Sequence, residues 1–229
     1  MKKKIVVLSG AGISAESGIS TFRDSDGLWE NHKIEDVASP EGFERNPQLV
    51  LDFYNLRRKQ LKEVQPNEAH KILATLEKDF DVEIITQNVD DLHERAGSTK
   101  VLHLHGELLK VRPVNDEKNI IPWEKDLNIG DADKNGKQLR PHIVWFGEMV
   151  PEMDNASVIA SQADIFVVIG TSMQVYPAAG LIHHVPEQCE IFVIDPHLET
   201  QYTKSENFFK TSATEGMKKL KELLYKNLK

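Results

Sequence analysis

Five short apolar runs recur along the chain, and helical patterns separate several of them. The runs lie at 4–10, 82–88, 101–106, 164–170 and 190–195. They lack the polar alternation of a sheet with one face in water, which is typical of strands buried in a parallel sheet. Three- and four-residue apolar spacing predicts helices over 47–64, 67–80 and 214–229. The sequence therefore predicts an α/β fold, a Rossmann-like doubly wound parallel sheet that binds its ligand at the carboxyl ends of the strands.

Two segments interrupt this alternation of strands and helices. Residues 20–46 are polar with scattered aromatic residues, and they are too long for an ordinary connection. The segment 107–140 is rich in Asn, Asp, Lys and Gly, so we expect a small, loosely ordered excursion. We predict a single domain over 1–229 in which a smaller module is inserted into the Rossmann-like core. The expected core covers 1–19, 81–106 and 141–229, and the expected insertions cover 20–80 and 107–140.

Composition disfavours several classes of function. The formal net charge of −8 argues against binding to a phosphate backbone, so we expect no nucleic-acid partner. No apolar stretch approaches the length of a membrane-spanning helix, and the first apolar run is too short for a signal peptide. The single Cys189 excludes an intramolecular disulfide and a zinc site built from cysteines. These features predict a cytoplasmic protein without a membrane partner, and they indicate no oligomeric state.

A glycine-rich turn follows the first predicted strand. The segment Gly10–Ala15 fits the G-x-G-x-x-G/A pattern, in which glycines let backbone N–H groups approach a pyrophosphate. A tight strand-to-helix turn could use the same glycines for steric reasons alone. A dehydrogenase would carry an acidic residue about 20 residues later, at the end of a second strand, to bind a ribose. Here the polar segment 20–46 takes that place, so we predict nucleotide binding but not hydride transfer.

Polar residues also follow three other predicted strands. Gln87, Asn88 and Asp90 could bind a carboxamide and ribose hydroxyl groups, or could simply cap the following helix. The segments Gly170–Ser172 and Asp195–His197 end two further strands, where ordinary turns would use similar residues. Three polar strand ends in one fold nevertheless favour a shared cleft over three independent turns.

Two histidines lie two residues apart on one face of the third predicted strand. A single histidine in an apolar strand is usually a core residue. His105 lies at the carboxyl end of the strand, where it would reach the cleft, and an imidazole that titrates near neutrality can serve as a general base. A metal site at His103 and His105 has little support, because no third ligand lies at a recognisable spacing.

Taken together, these motifs resemble the sirtuin family of NAD-dependent protein lysine deacylases. The resemblance runs in order through GAGISAESGISTFRDSDGLWE, TQNVDDLHERAG, HLHGEL, RPHIVWFGE and GTSMQVYPAAG, and so spans nearly the whole chain. It implies NAD as the cofactor and acyl-lysine-bearing proteins or peptides as substrates. The implied products are the free lysine, nicotinamide and O-acyl-ADP-ribose.

The resemblance also implies the roles of individual residues at the cofactor. His105 would act as base on a ribose hydroxyl, with Asn88 as a second catalytic residue. Phe22 would shield the reactive face of the sugar, Arg23 would contact the cofactor, and Asp90 would bind the nicotinamide carboxamide. The other implied cofactor-binding residues are Gly10, Ala11, Gly12, Ile13, Ser14, Ala15, Thr21, Trp29, Gln87, Val89, Gly170, Thr171, Ser172, Asp195, Pro196, His197 and Ala213.

Two further segments are implied to bind the substrate. A peptide would add as a strand along a groove bordered by Val144, Trp145, Phe146, Gly147 and Glu148. Tyr54 and Arg57 share one helix face and match the Tyr-x-x-Arg pattern of sirtuins that remove acidic acyl groups. An arginine can hold a carboxylate through two hydrogen bonds, although a solvated arginine on an amphipathic helix has the same spacing. The implied activity is that of the bacterial desuccinylase and demalonylase branch, with weaker deacetylation.

Two alternatives remain open from the sequence. Protein mono-ADP-ribosylation or NAD hydrolysis would use the same electrophilic ribose with a different nucleophile. A non-catalytic NAD-binding module is the other alternative, because the chain lacks cysteines that the family usually has. His105 argues against a pure binding module, which has no need of a base at that position.

The missing cysteines lead to a prediction about metal content. Sirtuins usually hold a structural zinc with two Cys-x-x-Cys pairs, but residues 107–140 contain no cysteine, and Pro113 stands where the first thiolate is expected. We predict that the module binds no zinc and packs around Ile120, Ile121 and Trp123. Elemental analysis of the purified protein should find zinc far below one ion per chain, whereas stoichiometric zinc would contradict the prediction.

Overall fold

A computed structural model describes residues 2–20, 28–29, 32–198 and 203–226, with the side chains of residues 28 and 29 left out. The strands are β1 (Lys4–Ser9), β2 (Leu28–Trp29), β3 (His32–Lys33), β4 (Asp81–Thr86), β5 (Val101–His103), β6 (Gly106–Pro113), β7 (Ile121–Pro122), β8 (Leu139–Ile143), β9 (Ile165–Ile169), β10 (Glu190–Ile194) and β11 (Phe208–Phe209). The helices are α1 (Gly12–Ala15), α2 (Ile34–Val37), α3 (Pro40–Arg45), α4 (Pro47–Glu63), α5 (Glu68–Leu76), α6 (Leu92–Ala96), α7 (Met153–Ala160) and α8 (Ala213–Lys226). None of these helices is both long and apolar enough to cross a membrane.

A six-stranded sheet with the order β11-β10-β9-β1-β4-β5 forms the centre of the fold. Its strands are all parallel, as the unbroken apolar runs predict. Strand β1 pairs residue for residue with both neighbours, so that Ser9 lies beside Thr86 on one side and Ile169 on the other. The doubly wound α/β prediction is confirmed. The short strand β11 was missed, because two residues carry no readable pattern.

Both faces of the sheet are covered by apolar side chains. Ile5 and Val7 of β1 belong to a cluster shared with α5 and α8, and Val6 and Leu8 belong to a cluster on the opposite face, shared with α7. This two-sided burial explains why β1 shows no polar alternation. Helix α5 was expected within the inserted module, but it packs on the sheet because its apolar stripe faces β4 and α8.

The longer helices begin where the sequence supplies caps. Helix α4 starts after Asn46, whose side chain accepts the Leu49 N–H at 3.1 Å, with Pro47 at its first position. Helix α5 starts after Asn67, whose side chain accepts the N–H of Ala69 at 2.9 Å. Each cap satisfies a backbone donor that the helix itself leaves unpaired.

A second, smaller apolar cluster joins α4 to an antiparallel sheet with the order β7-β6-β8. Residues 107–140 therefore contain ordered strands, and the expectation of a loosely ordered excursion was wrong. Ile121 and Trp123 pack against this cluster as expected, but Ile120 is 45% exposed and does not. Among the residues that the structure describes, no three His, Cys, Asp or Glu side chains are grouped to hold a metal ion.

Asn55 ties α4 to the far end of this module. Its side-chain oxygen accepts the Leu127 N–H at 2.8 Å, and its side-chain NH2 donates to the Leu127 carbonyl at 3.0 Å. The side chain thus pairs with Leu127 as a neighbouring strand would. Arg58 donates to the side-chain oxygen Oδ1 of Asn55 at 2.7 Å and to the backbone carbonyl of Leu108 at 3.0 Å. All these bonds are buried, and they hold the segment around Leu127 against α4.

We expect Asn55→Leu to lower the free energy of unfolding by roughly 2–4 kcal/mol, because each buried polar group that loses its partner costs about 1–3 kcal/mol. Urea unfolding measures this change. Leu56→Ala is the matched control, since Leu56 is the next residue of the helix and is 60% exposed. The control should change stability by less than about 0.5 kcal/mol. Equal effects of the two substitutions would contradict the assigned role of Asn55.

Candidate active site

A cavity of about 630 Å³ opens at the carboxyl ends of β1, β4, β9 and β10. Its wall combines the glycine turn after β1, the segment after β4, the residues that follow β9 and β10, and one face of α4. The polar strand ends that the sequence predicted to share a cleft therefore line one cavity. Its size falls within the range of about 300–1,000 Å³ that is usual for small-molecule sites.

Two glycine turns touch each other through their backbones at this edge of the sheet. The Gly12 N–H donates to the Gly170 carbonyl at 2.8 Å. A Cβ on Gly12 would lie 2.7 Å from the Cα of Gly170, and one on Gly170 would lie 2.3 Å from the nitrogen of Ile13. Gly170 also has a φ of 62°, which favours glycine. The glycines of the turn after β1 are therefore required for steric reasons, and they also line the cavity.

Most residues predicted to bind ligands line the cavity. They are Gly10, Ala11, Gly12, Ala15, Tyr54, Arg57, Gln87, Asn88, Val89, Asp90, His105, Val144, Trp145, Phe146, Gly147, Glu148, Gly170, Thr171, Ser172, Asp195, Pro196, His197 and Ala213. Ile13 belongs to the core under the sheet, and Ser14 lies buried behind the wall. The predicted residues Thr21, Phe22 and Arg23 lie outside the described residues, and of Trp29 only the backbone is described.

Several lining residues were not singled out from the sequence. Gln60 and Leu61 continue the helix face of Tyr54 and Arg57, so the three- and four-residue spacing could have found them. Glu16 also lines the cavity, and it accepts the backbone N–H of Thr214 at 2.8 Å at the start of α8. No sequence signal connects residues so far apart.

The segment after β4 is fixed by hydrogen bonds among buried polar groups. Ser14 donates to one carboxylate oxygen of Asp90 at 3.0 Å and accepts the Asn88 amide at 3.2 Å. The second carboxylate oxygen of Asp90 accepts the Leu92 N–H at 3.1 Å, at the beginning of α6. Burial raises the pKa of Asp90, against the opposing effect of these bonds. Asp90 therefore accepts the first N–H of α6 and also lines the cavity, while its binding of a carboxamide stays a prediction.

Gln87 joins the ends of two strands across the cavity wall. Its side-chain amide donates to the Thr171 hydroxyl at 2.9 Å. Its own backbone carbonyl accepts a hydrogen bond from His105 at 3.0 Å. The residue thus fixes the positions of β9 and of the candidate base relative to β4.

His105 presents an unprotonated ring nitrogen to the cavity. Its Nδ1 lies 3.0 Å from the Gln87 carbonyl oxygen, which can only accept, so Nδ1 carries the proton and Nε2 carries a lone pair. Burial lowers the pKa of His105, and the bond to Gln87 only partly opposes this shift. The imidazole is therefore neutral at physiological pH, as a general base requires.

His103 has the opposite environment, although it is only two residues away. Its two ring nitrogens face the Asn88 carbonyl at 2.9 Å and a carboxylate oxygen of Glu94 at 2.8 Å. Both partners are acceptors, which favours a ring with two protons. Burial acts to lower the pKa of His103, but the Glu94 carboxylate outweighs it and the net shift is upward. His103 thus supports the Asn88 segment and is not a second base.

Tyr54 and Arg57 lie one turn apart on α4. Both line the cavity, and both are buried. The Tyr54 hydroxyl oxygen accepts the indole N–H of Trp145 at 3.0 Å. Burial raises the pKa of Tyr54 further than this hydrogen bond lowers it, so the phenol keeps its proton. The cavity therefore contains a guanidinium and a neutral phenol among otherwise largely apolar groups such as Leu61 and Leu108.

Comparison with known proteins identifies the family. The model of the Sir2 family matches residues 10–177. An NAD-dependent protein deacylase of Bacteroides thetaiotaomicron is 55% identical over 97% of this chain and 98% of its own length. One from Helicobacter pylori is 63% identical over 85% of both chains. This chain belongs to the Sir2 family, as the sequence motifs predict.

Solved structures agree with this assignment. A Sir2 homologue in complex with NAD is 42% identical, has a TM-score of 0.87, and covers 100% of this chain and 91% of its own. A mutant Sir2 homologue in complex with ADP-ribose has a TM-score of 0.89 at 42% identity, with 99% and 94% of the two chains covered.

We expect the pKa values of the two neighbouring histidines to lie on opposite sides of the ordinary value of about 6.5. As the pH falls, His103 should take up a proton first and His105 later, which NMR of the two imidazole rings measures. Glu94→Gln should lower the pKa of His103 and leave that of His105 in place, because Glu94 contacts only the former. A His105 ring that protonates before His103 would contradict the assigned environments.

Proposed function

We propose that this chain is an NAD-dependent protein lysine deacylase that removes succinyl and malonyl groups, and acetyl groups more weakly. One observation carries the proposal: the neutral imidazole of His105, the paired Tyr54 and Arg57, and the glycine turn all line a single cavity. A base, an anion-binding pair and a nucleotide-binding turn are the parts that such a reaction needs. They come from elements far apart in the sequence.

The residues of the cavity fit NAD. Gly10 and Gly170 form part of the wall at the carboxyl ends of β1 and β9, the edge at which a parallel sheet of this kind binds a nucleotide. Ala213 lies at the beginning of α8, at another part of the same wall. When bound, NAD supplies an electrophilic ribose carbon and a nicotinamide leaving group.

The proposed catalytic residues are His105 and Asn88. His105 would accept a proton from a ribose hydroxyl at Nε2, while Gln87 keeps Nδ1 protonated and the ring in place. Asn88 is held by Ser14 through its amide, and its backbone N–H donates to the Thr86 hydroxyl at 3.0 Å. Because these bonds are made within the protein, the site is organised before a ligand binds.

The acyl group would lie against α4. Arg57 lines a cavity with largely apolar walls, where a guanidinium favours a carboxylate as its partner. The Tyr54 phenol, which stays protonated, can donate a further hydrogen bond to that carboxylate. An acetyl group offers no charge for Arg57, so the pair discriminates in favour of succinyl and malonyl.

The substrate we propose is an acyl-lysine-bearing protein or peptide, which would bind beside the segment Val144–Glu148. In this segment the N–H groups of Val144, Trp145 and Phe146 already donate to His105, Glu148 and Ala38. A peptide that adds as a strand would therefore have to pair with the remaining backbone groups of this segment. The cytoplasmic location expected from the sequence remains part of the proposal.

A panel of acyl-lysine peptides assayed with NAD tests the function. We expect nicotinamide release, free lysine peptide and O-acyl-ADP-ribose by mass spectrometry, with succinyl and malonyl peptides turned over best. His105→Ala should abolish all these products. Free ADP-ribose would instead favour NAD hydrolysis, and ADP-ribosylated peptide would favour ADP-ribosylation. A wild-type protein that releases no nicotinamide would favour a non-catalytic NAD-binding module.

Arg57→Met tests the acyl preference. We expect kcat/KM for the succinyl peptide to fall about 10- to 100-fold more than for the acetyl peptide, the range that the loss of a charged hydrogen-bond donor gives. Lys59→Met is the matched control, because it removes one positive charge from the same helix at an exposed position. The control should leave the ratio of the two activities in place. Equal losses for both peptides in Arg57→Met would overturn the assignment.

A further inference from the structure

Glu148 lies at the centre of a charged cluster beside the cavity. One of its carboxylate oxygens accepts Nη1 of Arg140 at 2.7 Å, and the other accepts Nη2 of the same arginine at 3.0 Å. The second oxygen also accepts the backbone N–H of Trp145 at 2.8 Å. Arg112 lies 3.5 Å from the first oxygen. Both oxygens are thus engaged within the chain, so Glu148 is better suited to hold its neighbours than to bind substrate.

Arg140 is held between Glu148 and the ring of Trp145. Its guanidinium carbon lies 3.3 Å from the centre of the indole ring, and Nη2 also donates to the Ile143 carbonyl at 3.0 Å. Arg140 and Trp145 are almost fully buried. A guanidinium stacked on an indole in a water-poor environment stabilises the position of the ring. Glu148 fixes the arginine, and the arginine in turn fixes the indole.

The indole then reaches the acyl-binding pair. Its Nε1–H donates to the Tyr54 hydroxyl oxygen at 3.0 Å. Because an indole N–H can only donate, the phenol must accept here, and its own proton must point away from Trp145. Phe43, at 5.4 Å between ring centres, packs on the indole as well.

We propose that Glu148 and Arg140 are positioning residues that set acyl selectivity by orienting the Tyr54 hydroxyl through the indole N–H of Trp145. The inference rests on the proposed function, in which Tyr54 donates to the carboxylate of a succinyl or malonyl group. A phenol that accepts one hydrogen bond is also a stronger donor of the next, because linked hydrogen bonds polarise one another. The chain of contacts thus runs from Glu148 through Arg140 and Trp145 to Tyr54.

The identity of the arginine matters to this arrangement. A lysine would keep the positive charge, but it could not hold both oxygens of Glu148 and stack flat on the indole at the same time. Arg140→Lys therefore loosens the indole without removing charge from the cluster. Arg112→Lys is the matched control, because Arg112 contacts the same carboxylate, whereas the guanidinium that stacks on Trp145 is that of Arg140.

The test measures kcat/KM for succinyl and acetyl peptides in each variant, together with calorimetric binding of the two peptides without NAD. We expect Arg140→Lys to lower the succinyl-to-acetyl ratio about three- to tenfold in both measurements, the effect of one weakened hydrogen bond. Arg112→Lys should leave the ratio as it is. Trp145→Phe removes the N–H but keeps an aromatic ring, so it should lower the ratio as Arg140→Lys does. If Arg140→Lys fails to fold, Trp145→Phe tests the proposal in its place.

A double-mutant cycle separates positioning from general damage to the fold. In a Tyr54→Phe background the phenol is absent, so Arg140→Lys should no longer change the ratio. If Arg140→Lys lowered the succinyl-to-acetyl ratio by the same factor in that background, the proposed positioning role would be wrong. An unchanged ratio in both Arg140→Lys and Trp145→Phe would also contradict it. A wild type without preference for succinyl would instead overturn the proposed function itself.

Discussion

The residue-for-residue pairing of β1 with both neighbours is the constraint on which the site depends. Ser9 lies beside Thr86 and Ile169, so three strands end at the same level and the segments that follow them emerge side by side. A shift by one residue would turn the apolar side chains of β1 to the opposite faces and would separate the glycine turns. The contact between Gly12 and Gly170 exists only in the observed register.

A buried layer of polar side chains lies directly under the cavity and depends on the same pairing. Ser9 donates to the Thr86 hydroxyl at 2.9 Å and lies 3.0 Å from Nε2 of His93. Thr86 in turn accepts the N–H of Asn88 at 3.0 Å. Burial lowers the pKa of His70 to about 4 and that of His93 well below its usual range, so both rings stay neutral. Hydrogen bonds among Ser9, Thr86, Asn88 and Nε2 of His93 offset the cost of burying this layer. Both ring nitrogens of His70 are buried without a hydrogen-bond partner among the residues that the structure describes, which only a neutral ring tolerates.

The parts of the structure that could be predicted are those with a local signal. Long apolar runs predicted the central strands, because a strand covered on both faces needs apolar side chains at every position. The turn at Gly12 and the candidate base His105 could be predicted because each follows such a strand. Strand β7 has only two residues, one of them Pro122, and no periodicity could reveal it. The different environments of His103 and His105 depend on Glu94 and Gln87, which lie in other parts of the chain. The two-residue spacing of the histidines gives no information about these partners.

The absence of thiolates in the inserted module changes what its stability depends on. Residues 107–140 have no cysteine to hold a metal, and the charged cluster of Arg140 and Glu148 lies against the cavity. Removing one partner of a buried ion pair leaves an uncompensated charge, which is strongly destabilising. The same two residues fix Trp145, which contacts Tyr54. Substitutions that stabilise or loosen the module at these positions will therefore also change the cavity wall at Tyr54, so in this chain the stability of the module and the shape of the cavity are coupled.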